Sequence, residues 1–214
     1  MKEYPKIQTV FKRDPATKMK TLLEGQYTLP EFEYLKNNKW VFTEKVDGTN
    51  IRVRFRDGWI TFAGRTDRAQ IPEQLQLRLK ERFTFAKMMK LFNTDVCLYG
   101  EGYGPKIQNG GKYRKDQDFV LFDVRVGDWW LERTDVEDVA DKLGLDVVPI
   151  IGEGTLDDMV MLAQGGFGSQ WGDFKAEGIV ARPEIELYAR NGKRIITKIK
   201  YRDFKHGEII SNGY

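Results

Sequence analysis

The sequence predicts an α+β protein built on largely antiparallel β-sheets flanked by helices. Two hairpin signals carry this, Asp57-Gly58 and Asn191-Gly192, each bordered by alternating residues. Helix-period runs over 72–92 and 134–144 are interspersed among the strand-like ones. With 214 residues, no internal repeat and no low-complexity segment, the expectation is a single domain over 1–214.

A chain 41% apolar and 31% charged reads as an ordinary soluble globular protein. It holds no long apolar run and no secretory signal at its N-terminus, so a cytoplasmic location is expected rather than a membrane span or export. Cys97 is the single cysteine and His206 the single histidine. Together they exclude an internal disulfide and a Cys/His zinc site, and they argue against a histidine-based triad. Any catalysis must run on lysine, arginine and carboxylates, with or without a hard metal ion. A net charge of +3 permits a polyanionic partner without demanding one.

Taken in order, residues 1–38 read as irregular, with a basic bias in Lys2, Lys6, Lys12, Arg13, Lys18 and Lys20. Such a bias serves solubility or touches nucleic acid. An alternating run with Trp40 and Phe42 leads into Thr43-Glu44-Lys45-Val46-Asp47-Gly48-Thr49-Asn50. In a strand, residues i and i+2 share a face, so Lys45 and Asp47 are expected to point the same way, with Gly48 free to turn sharply. An amine beside a carboxylate suits a lysine nucleophile. A strand running into a surface turn with two solvated charges fits the stretch equally well.

Ile51 to Arg56 alternates strictly, and Trp59 to Ala63 returns across Asp57-Gly58. The two-residue turn sets Arg56 opposite Trp59, Phe55 opposite Ile60 and Val53 opposite Phe62. Continued without a bulge, this register sets Asn50 opposite Arg65 and aims that arginine at the Asp47-Gly48 turn. Pro72 to Phe92 reads as one helix with Leu75, Leu79, Phe83 and Ala86 on its apolar face. Its basic face, Arg78, Lys80, Arg82, Lys87 and Lys90, is either solvated or turned to a duplex. Val96 to Glu101 is a strand ending in a carboxylate. The loop 105–115, with Lys106, Lys112, Arg114 and Lys115, is a phosphate-contacting flap or a mobile loop.

Phe119 to Val126 is a strongly apolar strand, turned at Gly127-Asp128 into Trp129-Trp130-Leu131. Thr134-Asp135-Val136-Glu137 is a capping-box pattern opening a helix that closes at Gly144. A short strand (147–151), a short helix (155–163) and the glycine loop 165–171 follow, with Trp171 either a packing or a base-stacking residue. Glu177 heads a strand running to Arg182. After Asn191-Gly192, Ile195, Thr197, Ile199 and Tyr201 share one strand face, and Ile196, Lys198 and Lys200 the other. Neighbouring lysines on one face repel unless an anion lies beside them, and an anion is the expectation here. No phosphate-binding P-loop occurs, since Gly110-Gly111-Lys112 is followed by Tyr113.

Six segments, in this order, resemble the signature of the covalent nucleotidyltransferase superfamily of ligases and capping enzymes, and most closely that of the RNA ligase 2-like family. Lys45-Val46-Asp47-Gly48 looks like its lysine motif and Gly64-Arg65-Thr66 like the arginine element after it. Tyr99-Gly100-Glu101-Gly102, the Phe122-Asp123 pair, Glu177-Gly178-Ile179-Val180 and Lys198-Ile199-Lys200 look like the other four. A lone Lys-x-Asp-Gly is a weak signal, but six elements in order are a strong one.

The resemblance implies the nucleotidyltransferase, ATP-grasp-like domain of ligases, acting with ATP and Mg²⁺ or Mn²⁺. Lys45, in its motif with Asp47, would attack the α-phosphate of ATP and hold AMP as a phosphoramidate. Glu44 would line the base pocket and Asn50 would help place the acceptor end. Arg65 would contact ribose or phosphate, Glu101 the ribose hydroxyls, and Phe122 would stack on the base. Glu177 would bind the metal, and Lys198 and Lys200 would hold the α-phosphate. The implied activity is end-sealing repair: AMP passes to an RNA 5′-phosphate end, which is then joined to a 3′-hydroxyl on a nicked duplex or single strand.

Two departures keep alternatives open. Asp47 stands where the RNA ligases have histidine, and aspartate is the DNA-ligase and capping form, so DNA ends are the alternative substrate. No OB-fold motif and no C-terminal RNA-binding domain is expected beyond Lys200, and since the resemblance implies that capping enzymes and most DNA ligases need the OB-fold for the first step, this argues against both. The rival readings are a small DNA ligase or GMP-transferring capping-type enzyme, and a non-catalytic protein that binds nucleic-acid ends.

The chemistry also stands on the residues alone. A free lysine amine titrates near 10.4, so only about one in a few thousand is neutral at pH 7. Making it nucleophilic takes about 4 kcal/mol of differential interaction, which burial and cationic neighbours supply. Arg65, Lys198 and Lys200 are the candidate neighbours, and they would also stabilise charge on a transferring phosphoryl group. Carboxylate and phosphate oxygens suit Mg²⁺ or Mn²⁺.

Overall fold

The computed structural model describes residues 2–204, which leaves His206 outside the described residues. The elements open with β1 (Gln8–Thr9), β2 (Phe11–Arg13), β3 (Leu22–Tyr27), α1 (Pro30–Tyr34) and β4 (Trp40–Glu44). Next come β5 (Thr49–Arg56), β6 (Trp59–Ala63), α2 (Glu73–Arg82), α3 (Phe85–Leu91), β7 (Val96–Tyr103), β8 (Asp118–Val126) and β9 (Trp129–Trp130). The chain goes on through α4 (Arg133–Leu143), β10 (Asp146–Val147), β11 (Ile150–Gly154), α5 (Leu156–Gly165), β12 (Gly178–Pro183) and β13 (Thr197–Lys200). Among the described residues every strand pairing is antiparallel except β1–β13 and β8–β10. The predicted α+β class is the one the chain adopts.

The chain divides into two compact units. Among the described residues, the first gathers Val46–Pro149, Gln170–Phe174 and the N-terminal residues 2–6; the second gathers Ile7–Lys45, Ile150–Ser169 and residues 175–204.

In the first unit the strand order is β10-β8-β7-β5-β6, with β9 paired to β8. Asp57 and Gly58 both take positive φ (49° and 80°), as a tight hairpin turn of this kind requires. The register is the expected one, with Arg56 opposite Trp59, Phe55 opposite Ile60 and Val53 opposite Phe62. The ladder ends, however, at Arg52 opposite Ala63. The fully buried Arg52 donates to the Gly64 carbonyl at 2.7 Å and to Asp67 at 2.8 Å, which holds the chain in a bend off the sheet. Arg65 therefore lies exposed on that bend rather than opposite Asn50, whose strand partner is Glu101.

The helix expected over 72–92 is two helices. Phe83 leaves helical geometry to bury its ring, and Thr84 restarts the chain as N-cap of α3 by accepting from the Lys87 N–H. Met88 is consequently buried where Ala86 was expected, and Ala86 is exposed. Leu75, Leu79, Phe83 and Met88 share a core with Ile51, Val53, Phe55 and Leu98, each such side chain contributing about 1.5–3 kcal/mol. The predicted capping box at Thr134 does not cap. α4 begins at Arg133, whose guanidinium is drawn to Glu137 and the Val148 carbonyl, and it ends as expected on Gly144 at φ 68°.

At the head of β8 the Asp118 carboxylate, 1% exposed, gathers three guanidiniums: Arg82 at 2.6 Å, Arg114 at 3.0 Å and Arg78 at 3.2 Å. Lys87 donates to the Leu143 carbonyl. Much of the basic helix face and Arg114 of the basic loop are thus used inside the fold.

In the second unit the strand order is β1-β13-β12-β4-β11, and β2–β3 form a separate ribbon. α5, capped by a reciprocal Thr155–Asp158 pair, sets Leu156, Met159 and Ala163 against Trp40, Phe42, Ile179 and Ile199. Residues 1–38 are not irregular as expected, since they supply β1, β2, β3 and α1. Gln8 and Thr9 pair with Thr197 and Lys198, and such distant partners leave no mark on the local pattern. The strand expected over 147–151 is divided at Val148-Pro149, because proline has no N–H to carry a ladder onward. The turn at Asn191-Gly192 forms with Gly192 at φ 74°, and its arms meet at the Tyr188–Arg194 bridge, where the Ala189 N–H donates to the Lys193 carbonyl and the Ile195 N–H to the Leu187 carbonyl, both at 2.8 Å.

Candidate functional site

Three strands of the second unit converge on one corner. Glu44 pairs with Ile179 and Gly178 with Lys200, while the Lys45 N–H donates to the Gly178 carbonyl at 2.9 Å and the Tyr201 N–H to the Glu177 carbonyl at 3.1 Å. Backbone bonding alone therefore brings Lys45, Glu177 and Lys200 together. Their side chains meet there: the Glu177 carboxylate, 8% exposed, receives the Lys45 ammonium at 2.6 Å on one oxygen and the Lys200 ammonium at 2.5 Å on the other. Glu177 thus supplies an anion beside the lysine row. Lys198 lies half-buried on the same face of β13, opposite Val180. Glu44 is almost fully buried and accepts from the Ser169 hydroxyl at 2.6 Å.

Gly178 makes the corner sterically accessible. A Cβ there would lie 2.2 Å from the Ile199 carbonyl oxygen and 2.7 Å from the Lys200 Cα. Gly178→Ala is expected to push β12 and β13 apart and to cost about 1–3 kcal/mol in a denaturant titration. The same displacement should slow any reaction that depends on Lys200.

In the first unit Asp47 donates its N–H to the Tyr113 hydroxyl at 3.1 Å, and its carboxylate accepts from the Asn109 amide at 2.6 Å. The 105–115 loop therefore docks on Asp47. Lys45 and Asp47 do not share a strand face as expected, because β4 ends at Glu44. Their backbone N–H groups have separate anchors, Gly178 for one and Tyr113 for the other. Gly48 permits the close start of β5 on β7, since a Cβ would come within 2.3 Å of the Gly102 carbonyl oxygen.

Asn50 and Glu101 face each other across β5 and β7, both half-buried, and the Asn50 Oδ1 is buried without a hydrogen-bond partner among the described residues. Phe122 is the extra residue of a β-bulge between the Tyr99–Asp123 and Gly100–Leu121 pairs. A bulge re-aims a side chain, and Phe122 stands half-buried, edge-on to Tyr4 at 5.0 Å. Phe119, by contrast, is core: a Cβ on Gly100 would meet its ring at 2.2 Å. Trp171 packs edge-on to Tyr113 at 5.5 Å, as a packing residue does.

Sequence reasoning missed Ser169, Asn109 and Tyr113, which touch Glu44 and Asp47. They sit on loops, where no periodicity marks them. Among the described residues no three or more histidine, cysteine, aspartate or glutamate side chains cluster to hold a metal ion, and no helix is long and apolar enough to cross a membrane.

The RNA ligase family model matches residues 38–200, a stretch that contains all six motif-like segments. The chain belongs to the RNA ligase family. Solved RNA ligases share its fold. A variant of the Naegleria gruberi RNA ligase in its apo form superposes with a TM-score of 0.66 at 21% identity, covering 94% of this chain and 57% of that one. Another variant of that ligase, with ATP and Mn, gives 0.66 at 23% identity over 95% and 64%. A third, with AMP and Mn, gives 0.65 at 22% over 92% and 57%. The chain thus spans about three fifths of the length of the solved ligases it resembles. No match is found among curated proteins.

Proposed function

We propose that this RNA ligase family member is an ATP-dependent polynucleotide ligase that works through a lysyl-AMP on Lys45, with residues 1–214 acting as one nucleotidyltransferase domain. The observation that supports the reading best is the corner where Glu177 holds Lys45 and Lys200. It presents a nucleophilic side chain and a second cation within one carboxylate's reach.

In the first step Lys45 gives up its ammonium proton to solvent water and its neutral Nζ attacks the α-phosphorus of ATP. An N–P bond forms, the bond to the bridging oxygen breaks, and pyrophosphate leaves. Lys198 and Lys200 hold the α-phosphate of bound ATP and keep its charge neutralised through the transfer, where catalysis is mostly positioning plus electrostatics. Glu44 lines the base pocket, Phe122 stacks on the base, Glu101 takes the ribose hydroxyls, and Arg65 contacts ribose or phosphate. Asp47 supports the lysine motif and Asn50 helps place the acceptor end. Glu177 is the residue that would hold Mg²⁺ or Mn²⁺; one carboxylate is enough when phosphate oxygens and water complete the shell. Such an ion adds positive charge against the phosphates. AMP then passes to an RNA 5′-phosphate, and a 3′-hydroxyl displaces it to seal the strand. The ATP and AMP complexes of the Naegleria ligase variants support the choice of nucleotide.

Incubation with ATP and Mg²⁺ or Mn²⁺ should add one AMP to the intact mass, whereas GTP should add nothing. Absence of any adduct overturns the reading and leaves the end-binding alternative, and a GMP adduct shifts it to the capping type. Sealing assays on nicked and single-stranded RNA and DNA then identify the substrate, with RNA ends expected. Glu177→Gln removes the anion shared by two ammonium groups that are only 20% and 15% exposed. Adduct formation is expected to slow by about a hundredfold, because Lys45 loses the anchor that positions its amine.

A further inference from the structure

The second unit contains a buried carboxylate that the proposed chemistry does not use, Asp203, 2% exposed. One of its oxygens accepts from the Lys200 backbone N–H at 3.0 Å, and the other accepts from the Arg13 guanidinium at 3.0 Å. The sheet explains why this matters. Lys198 has strand neighbours on both sides, since it pairs with Val180 on β12 and with Thr9 on β1, and the Val10 N–H donates to its carbonyl at 3.1 Å. β1 ends at Thr9, so among the described residues no strand on that edge continues the ladder to Lys200. Asp203, reaching back from the short 3-10 turn Tyr201–Asp203, takes the place of the missing strand. Arg13 on β2, 31% exposed, then fixes the carboxylate.

We propose that Asp203, held by Arg13, is a positioning residue that keeps Lys200 at the Glu177 corner. The proposal rests on the reading of Lys200 as an α-phosphate ligand, but its geometric half stands apart from that reading. Buried donors that lose their acceptor are costly, so the Lys200 backbone should shift when Asp203 changes. An asparagine side chain there offers one acceptor where two donors must be met, and its amide would confront the other.

The test uses the whole chain with Asp203→Asn, the double variant Arg13→Gln/Asp203→Asn, and two readouts. The first is the rate of AMP-adduct formation against ATP concentration. The second is acylation of Lys200 by a small amine-reactive ester, read by mass spectrometry against the exposed Lys80. Asp203→Asn should raise the KM for ATP by about tenfold with a smaller effect on kcat, and should raise Lys200 acylation severalfold. The double variant puts a carbonyl acceptor at position 13 to meet the new amide, and it should recover most of both. Should Asp203→Asn fail to fold in a thermal melt, Asp203→Glu, which keeps the charge and displaces it by one methylene, carries the same comparison. Unchanged KM and unchanged acylation in a folded variant overturn the proposal. If the parent protein forms no adduct, the ligase reading fails by itself, and the acylation readout still decides: raised Lys200 labelling upholds the positioning role and unchanged labelling overturns it.

Discussion

Lys45→Arg is expected to fold like the parent protein and to form no nucleotide adduct, a loss of at least about a thousandfold in rate. The substitution separates the two things Lys45 does. As a cation it neutralises half of the Glu177 carboxylate, at 2.6 Å. As an amine it would have to shed a proton and offer a lone pair to phosphorus. Arginine keeps the charge and the means to bond a carboxylate, but its guanidinium stays protonated at any pH at which the protein is folded. Lys45→Ala should also lose the adduct, and it leaves Glu177 with Lys200 as its remaining partner at that corner, so a melting shift would accompany it. Intact mass after incubation with ATP and Mg²⁺ reads the chemistry, and a thermal melt reads the ion pair. An adduct persisting in Lys45→Arg would place the nucleophile elsewhere.

The second large effect is on stability. Asp118→Asn is expected to cost about 3 kcal/mol and to lower the melting temperature by about 10 °C. The carboxylate is 1% exposed and serves Arg78, Arg82 and Arg114, which are 24–31% exposed, so removing its charge leaves three guanidiniums crowded without their common anion. Burial by itself would push the Asp118 carboxyl up, but the bonds from Arg82, the Phe119 N–H and Arg78 outweigh it and hold the group below the ordinary carboxylate range. Because the folded form ionises more readily than the unfolded one, its contribution is complete above the ordinary aspartate value of about 4 and is lost as pH falls through the depressed folded value. The gap in melting temperature between parent and Asp118→Asn should therefore be constant from about pH 5 to 7 and close in stronger acid. A gap that did not narrow would assign the cost to packing instead.

Much of this molecule is legible before it folds, and the unread parts share one cause. The Asp57-Gly58 hairpin was readable because its pairing is fixed by four adjacent residues. The ladder stops after the pair Arg52–Ala63, where Arg52 captures the Gly64 carbonyl, a contact that no alternation rule contains. The helix break at Phe83-Thr84 was hidden for the same reason: the run 72–92 keeps helical spacing, and it is the buried ring of Phe83 and the cap on Thr84 that divide it. At the candidate site, the order of the six segments carried the family, and strand parity put Lys198 and Lys200 on one face. That Glu177 meets Lys45 and Lys200 comes from β4, β12 and β13 lying side by side, a topology that spacing along the chain does not express. Strand parity misled at Lys45 and Asp47 because β4 had already ended.

The parallel pairing of β1 with β13 also sets an order of events in time. Gln8 and Thr9 find their neighbours in Thr197 and Lys198, 189 residues later between Gln8 and Thr197. At about 5–20 residues per second, roughly ten to forty seconds of translation separate the two strands. The strands β5 to β10, all within Val46–Pro149, leave the ribosome earlier and can pair among themselves in that interval. The corner of Lys45, Glu177 and Lys200 has no such head start, because its last member emerges only after nearly every other described residue. A nascent chain stalled before residue 200 therefore carries an unfinished sheet edge at β1 and β12 and no assembled lysine corner, so its exposure to misfolding is concentrated in the interval before β13 is made.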